Sequence, residues 1–294
     1  MMSKVPPTYF FEAEAGAAFE TDGVQIGYRV KKKLYEGMSA YQSVRVFDLV
    51  FFGRALFLDS ILQTAEKDEF VYHEMLCQSP LFCHKNPERV LIIGGGDGGS
   101  LREVVKHKEV REVWMVEIDK DVMDVSRKYL PALSQGAFQD PRARVLVEDA
   151  ARFIKRHKSF FDVIILDVSD PEGPAAKLVS PGFYKNVREA LREKGVVCAQ
   201  SGSFTTQSVL VRRIQKRLRE QFAFVEVRRA CVPSYHAGVY SFTMASRAPL
   251  SLAGSRSFQE QKAASMGLRY WSPAIHKISS VLPAYLEGML EDCL

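Results

Sequence analysis

Cysteine is scarce in this chain and poorly arranged for cross-linking. The five are Cys77, Cys83, Cys198, Cys231 and Cys293, an odd number with scattered spacing and no CxxC pair. That pattern argues against a disulfide framework and fits free thiols in a reducing cytosol. Cys198, inside the apolar run 195–200, reads as a small core residue. Long hydrophobic runs are missing too, so no membrane span is expected. The opening residues, MMSKVPPTYFFEAEAG, lack an apolar signal core and carry acids early, which fits a cytoplasmic protein. There is no internal repeat and no low-complexity tract. Neither zinc-finger spacing nor an aromatic-plus-basic RNA motif is present, so nucleic acid is not an expected partner. Histidine-rich ligand sets and calcium-loop spacing are also missing, and no metal is expected.

What is present is an ordinary globular composition: 294 residues, 47% hydrophobic and 26% charged. That length holds one large domain, a smaller one and a well-buried core. The net charge of +5 is spread along the chain. Its densest basic runs are Arg29–Lys33 and Arg212–Arg219. The second has apolar positions at helical spacing, which makes it a solvated helix face.

The first part, to about Thr64, reads as strands and turns. Residues 41–59 contain an apolar alternation (Val44, Val46) and a turn at Gly53 between two strand-like runs. Phe70, Tyr72, Met75 and Leu76 then fall at the spacing of an amphipathic helix. From Pro87 onward strands alternate with helices: strands at RVLIIGGG, VWMVEID, RVLVEDA, FDVIILDVSD and GVVCAQ, helices between them, and a closing hairpin over residues 224–246. Such alternation predicts an α/β fold with a parallel, doubly wound, Rossmann-like sheet. The expected layout is a small N-terminal β domain, residues 1–66, on a nucleotide-binding domain, residues 67–294. The site is expected between them, with the boundary near Asp68–His73.

The turn Gly94-Gly95-Gly96-Asp97-Gly98-Gly99 contains GxGxxG between a strand and a helix, where glycines let backbone approach a ligand. In a dinucleotide site this turn faces a pyrophosphate, which the Asp97 carboxylate would repel. A cation would be welcomed there instead. Capping of the following helix is the plainer role for Asp97. Glu117 ends the second strand, about 20 residues beyond the turn, and is placed to accept from ribose hydroxyls. Asp119 competes for that role, although alternation separates neighbouring side chains. Asp149, at the end of the third strand, suits an adenine amino group or else caps the helix after it.

The fourth strand ends in Asp167-Val168-Ser169-Asp170. Ligands in open α/β sheets bind at the carboxyl ends of strands, so Asp167 and Asp170 should join Asp97 around one pocket. Three carboxylates together repel one another and raise some pKa values, and a polycationic ligand relieves that cost. A desolvated carboxylate can also take the proton from an attacking amine, while others hold remote ammonium ends. A sulfonium leaving group needs neither a metal nor a covalent intermediate. A divalent-metal site or a glycosidase pair explains less, because the glycine turn and the ribose acid would then have no role.

In order along the chain stand Tyr41-Gln42, QTAEKDEFVYHEM (residues 63–75), GGGDGG, VEID, VEDA, DVSDPEGPAAKL, Pro233-Ser234-Tyr235 and RYWSPAIHKISSVLP. This combination closely resembles the spermidine synthases, the polyamine aminopropyltransferases. The resemblance runs from about Tyr41 to near the C-terminus. It implies a class I methyltransferase-like Rossmann domain and decarboxylated S-adenosylmethionine as co-substrate, with no cofactor. It assigns Asp97 to the donor's aminopropyl ammonium, Glu117 to its ribose, and Asp149 with Ala150 to its adenine. Gln42 resembles a nucleoside contact, and Pro174 belongs to the loop that closes over the nucleoside. Asp167 resembles the proton acceptor and Asp170 the residue that holds the acceptor amine. His73, Tyr72, Gln63 and Tyr235 would line the polyamine channel. Homodimers or homotetramers through the N-terminal β region are implied as well.

On their own, Tyr72 and Tyr235 read as core aromatics, His73 as a satisfied half-buried residue, and Gln42 and Gln63 as polar strand-end residues. The sequence departs from common family patterns at Ala150 (often Gly), Gly202 (often Glu, although Gly in some bacterial members) and His236 (often Pro). The last two lie near the acceptor end, so the resemblance implies putrescine but leaves cadaverine and agmatine open. Two other functions share these features. An S-adenosylmethionine methyltransferase shares the ribose and adenine acids, but its intact donor brings a carboxylate that Asp97 disfavours. A non-catalytic polyamine-binding protein would have no use for a base such as Asp167.

Overall fold

A computed structural model describes residues 8–12, 24–169, 173–235 and 239–291. Twelve strands form two sheets. The first is antiparallel, in the order β1 (Thr8–Phe11), β2 (Gly27–Met38), β3 (Ser43–Leu49), β4 (Gly53–Leu58) and β5 (Ile61–Ala65). The expected Gly53 turn joins β3 to β4: Leu49 pairs with Gly53, whose φ of +74° suits glycine. Alternation in β3 and β4 gives this sheet two apolar faces. Phe47, Ala55 and Phe57 pack with Tyr28, while Val44, Val46 and Leu56 pack against the second domain.

The second sheet contains β6 (Arg89–Gly94), β7 (Glu112–Glu117), β8 (Ala143–Val147), β9 (Phe161–Asp167), β10 (Leu191–Ser203), β11 (Phe224–Cys231) and β12 (Val239–Ser246). Its spatial order is β11-β12-β10-β9-β6-β7-β8. Strands β6 to β10 run parallel, and β12 runs antiparallel to both neighbours, which makes β11–β12 the expected hairpin. The order reverses between β6 and β9. That crevice is where open α/β sheets hold ligands.

The five parallel strands are apolar because helices cover both faces. In β6, Val90 and Ile92 enter one core cluster, and Leu91 and Ile93 enter the other. The connections carry α1 (Glu69–Cys83, before β6), α2 (Gly99–Val105), α3 (Lys120–Tyr129), α4 (Pro131–Ser134), α5 (Ala150–Phe153), α6 (Pro181–Ala190) and α7 (Ser208–Arg219). Three short helices follow β12: α8 (Arg256–Ser265), α9 (Pro273–Ile278) and α10 (Ala284–Glu291). None of the described helices is long and apolar enough to cross a membrane. Helix α7 buries Leu210, Val211, Ile214 and Leu218 and turns Arg213 and Lys216 outward, as its spacing predicts.

Helix α1 departs from the amphipathic expectation. From Glu69 to Phe82 every residue but Phe70 is buried, because the helix lies between α2 and the β9–β12 part of the sheet. Its polar side chains are matched rather than solvated. Glu74 accepts the backbone N–H groups of Arg269, Tyr270 and Trp271, each at 2.8 Å, and so pins the RYW segment to the core. The two domains meet where Val44, Val46 and Leu56 of the first sheet pack on Val122, Val125, Leu130 and Leu133 of the second domain.

Candidate active site

The carboxyl ends of β6, β7 and β9 open into a cavity of about 410 Å³, roofed by Gln42, Leu56, Leu58 and Gln63 of the first sheet. The glycine turn forms its floor. Gly94 pairs with Asp167 across β6 and β9, and the Gly95 N–H donates to the Asp167 carbonyl at 2.8 Å. A Cβ on Gly94 would stand 2.0 Å from that carbonyl oxygen, and its φ is +82°. Only glycine lets the two strand ends approach this closely.

Asp167 sits at the centre. The Tyr72 hydroxyl donates to Oδ1 at 2.7 Å and the Ser100 hydroxyl to Oδ2 at 2.6 Å. Burial pushes the Asp167 carboxyl above the usual range, and Asp97 adds to the rise. His73, Ser100 and Tyr72 oppose it without cancelling it. Asp97 behaves oppositely. Burial would raise it, but His73 and the Gly99 N–H together hold it below its ordinary value. Two neighbouring acids are thereby driven apart, one toward taking a proton and one toward staying charged.

Asp97 accepts the Gly99 N–H at 2.7 Å and faces His73 Nε2 at 3.4 Å. It touches the start of α2 and also lines the cavity, so a helix-terminal contact and a place on the cavity wall coexist. Asp149 behaves likewise: it caps α5 through the Ala151 N–H at 2.8 Å and lines the cavity beside Ala150. Glu117 lines the cavity, accepts the Asp119 N–H at 2.9 Å, and is pushed by burial up to about 7. Asp119 is buried and structural. It caps α3 and accepts from Gln42 Nε2 at 3.0 Å and Ser39 Oγ at 2.6 Å, which holds Gln42 at the cavity wall.

On the other side lie Gln63, Tyr72, Tyr235 and Tyr240. The Tyr235 hydroxyl donates to the Gln63 carbonyl, and the Tyr72 ring stands 6.0 Å from Tyr235 and 5.8 Å from Tyr240. These aromatics are cavity wall and core at once. His73 is fully buried rather than half-buried, with one ring nitrogen toward Glu69 and the other toward Asp97. Asp170 and His236 lie outside the described residues. Pro174 belongs to a short 3-10 helix, Gly173–Val179.

Several residues escaped sequence reasoning. Ser100 merely follows the glycine turn, and nothing in its type announces the bond to Asp167. Gln200 donates to the Val168 carbonyl at 2.7 Å and accepts from Tyr240 at 2.6 Å, so it holds the strand end that carries Asp167. Glu69 and Arg102 form a bidentate pair with both bonds at 2.9 Å, and nothing in their types or positions in the sequence announces it. Among the described residues no group of three His, Cys, Asp or Glu side chains is arranged to hold a metal ion.

Comparison with known proteins agrees with this arrangement. Residues 69–253 match the model of the spermine/spermidine synthase domain, and residues 11–66 match that of the spermidine synthase tetramerisation domain. The chain belongs to the spermine/spermidine synthase family. Within it, a polyamine aminopropyltransferase from Thermoanaerobacter sp. (strain X514) is 39% identical over 278 residues, 93% of this chain and 97% of that one. A polyamine aminopropyltransferase from Bacillus subtilis (strain 168) is 36% identical over 274 residues, 92% and 97% of the two chains. A spermidine synthase solved with the transition-state analogue AdoDATO superposes with a TM-score of 0.89 at 34% identity, covering 97% of this chain and 95% of that one. The synthase from Thermotoga maritima gives 0.86 at 33%, covering 97% and 94%. The two-sheet architecture is thus that of the family's spermidine synthases.

Proposed function

We propose that this chain transfers the aminopropyl group of decarboxylated S-adenosylmethionine to putrescine, giving spermidine and 5'-methylthioadenosine. The observation that carries this reading is that Asp97, held charged, and Asp167, pushed toward taking a proton, line one cavity together with Glu117 and Asp149. The first two suit an ammonium and an amine about to lose a proton; the second two suit a ribose and an adenine.

In the reaction the amine lone pair attacks the methylene carbon on sulfur. The C–S bond breaks with its electrons going to the sulfonium, which leaves as a neutral thioether. The nitrogen's extra proton passes to Asp167, the general base, whose raised affinity for protons favours that transfer. Asp97 holds the donor's ammonium and fixes its chain in line for attack. Gln42, Ala150 and Pro174 complete the nucleoside end. Gln63, Tyr72 and Tyr235 form the polyamine end, where Asp170 would hold the acceptor amine, while His73, absent from the cavity wall, stands behind Asp97. Self-association, as a homodimer or homotetramer through β1–β5, is supported by the match of residues 11–66. A cytoplasmic location fits the free thiols and the small soluble substrates.

The test is a product assay. Purified protein is mixed with decarboxylated S-adenosylmethionine and, separately, putrescine, cadaverine and agmatine, and products are weighed by mass spectrometry. Spermidine formed fastest, with equal methylthioadenosine, is the expected result. Faster product from cadaverine or agmatine would reassign the acceptor. No methylthioadenosine with any amine, from folded protein, would sink the reading and favour the methyltransferase or the polyamine-binding protein.

A further inference from the structure

Behind Asp97, beneath the donor-ammonium end of the cavity, runs a chain of buried charges. Arg102 of α2 clasps Glu69, the first residue of α1, with bonds of 2.9 Å from Nη1 and Nη2 to its two oxygens. Glu69 in turn meets His73 Nδ1, one helical turn on, at 2.6 Å. His73 Nε2 faces Asp97 Oδ2 at 3.4 Å. The His73 side chain is 1% exposed and that of Glu69 is 6% exposed.

Both ring nitrogens of His73 therefore face carboxylate oxygens. Burial opposes a charge on the ring, but the carboxylates of Asp97 and Glu69 outweigh it and raise the His73 pKa well above its ordinary value, which favours a hydrogen on each nitrogen and an imidazolium. Every charged or titratable neighbour is consistent with that state. Glu69 on the same helix, Asp97 on the glycine turn and Asp167 at the end of β9 are acids; Tyr72 packs edge-on at 5.2 Å; Arg102 is already committed to Glu69 and Glu103. The ring has no room to turn away. A Cβ on Gly99 would lie 2.3 Å from its Cε1 carbon, so the bare α-carbon of Gly99 forms the seat of the imidazole.

We propose that Glu69, anchored by Arg102, is a positioning residue for the donor's ammonium: it fixes His73 as a charged ring whose Nε2–H holds the Asp97 carboxylate ionised and turned into the cavity. The inference rests on the assignment of Asp97 to the donor ammonium. Glu69 touches no substrate. Its effect reaches the ligand only through His73 and Asp97, so it selects for ligands that carry the ammonium and is blind to those that lack it.

The experiment compares Glu69→Gln with wild type by calorimetry on two probes, decarboxylated S-adenosylmethionine, which has the ammonium, and 5'-methylthioadenosine, which does not. Affinity for the donor should fall about tenfold, as loss of a charge-assisted hydrogen bond implies, with methylthioadenosine within about twofold. Equal losses for both probes would mean general loosening and would overturn the proposal, as would an unchanged donor affinity. If Glu69→Gln does not fold, Glu69→Asp keeps the charge for Arg102 while shortening the reach to His73, and it is read the same way. A second readout needs no ligand. Nitrogen-15 spectra of labelled histidine should show His73 of the wild type still as imidazolium well above the pH at which an ordinary histidine loses its proton. A neutral ring there would overturn the proposal. Should wild type bind neither probe, the transferase reading fails, and the histidine spectra still decide the role of Glu69 toward His73.

Discussion

The hydroxyl of Tyr72 donates to Asp167 Oδ1 at 2.7 Å, from a helix 95 residues upstream in the chain. That bond stabilises the ionised carboxylate against burial, which pushes the other way. Removing it in Tyr72→Phe should raise the Asp167 pKa further. The carboxylate must be ionised to take a proton, so activity disappears below its pKa and the acid limb of the turnover profile should move to higher pH. At neutral pH Tyr72→Phe should be slow, and alkaline pH should restore part of the loss. Turnover profiles of the two proteins measure this. An acid limb in the same place would separate Tyr72 from the titration of Asp167.

Asp167→Asn tests the proposed base. The amide oxygen still accepts from Tyr72 or Ser100, so the floor of the cavity should persist. Turnover should drop by about 10²–10⁴-fold, the usual contribution of a positioned general base. Methylthioadenosine affinity should change little, because its contacts are expected at the Glu117–Asp149 end. Undiminished turnover would remove Asp167 from the proton transfer.

Much of this was legible in the sequence, for identifiable reasons. Parallel strands buried on both faces must be apolar throughout, so β6 and β9 announce themselves, and the acids that end β7 and β9 sit where such sheets bind ligands. Other features were hidden because they depend on long-range pairing. Helix α1 has polar residues at positions that look solvated until Arg102, Asp97 and the 269–271 backbone arrive to match them. Ser100 gains meaning only because Gly94 lets Asp167 approach. Capping and a place on the cavity wall coexist in Asp149, where the sequence offers a cap and a nucleoside contact as alternatives.

Glu117, if it meets the ribose as proposed, should tie nucleoside binding to pH. Burial brings its pKa up to about 7. A ribose that donates hydroxyls to the carboxylate binds the ionised form, so binding below that pH must release a proton. Affinity for methylthioadenosine should therefore rise as pH increases toward 7, by up to about tenfold per unit, and level off above it. Calorimetry near pH 6 in buffers of different ionisation enthalpy counts the proton directly. No release, with affinity flat across neutrality, would show that Glu117 is already ionised or does not meet the ribose. Glu117→Gln should abolish the dependence while weakening binding.

Gly202, where the family resemblance leads to an expectation of glutamate or glycine, stands in a backbone conformation suited to glycine. The pairing of β10 with β12 slips between Gln200 and Gly202, and at that bulge Gly202 takes φ +87°. A Cβ would stand 2.8 Å from Gln207 Oε1, the atom that accepts the Ser203 N–H at 3.0 Å. Gly202→Glu therefore meets both left-handed strain and a clash with a side chain that closes the strand end. A destabilisation of about 1–3 kcal/mol is expected, lowering Tm by several degrees. The added carboxylate should not tighten putrescine binding, because the backbone that would aim it is built for glycine. Thermal melts and the KM for putrescine are the two measurements. A stable Gly202→Glu protein with a lower KM would mean that the bulge re-forms around a side chain and that acceptor affinity is limited by charge alone.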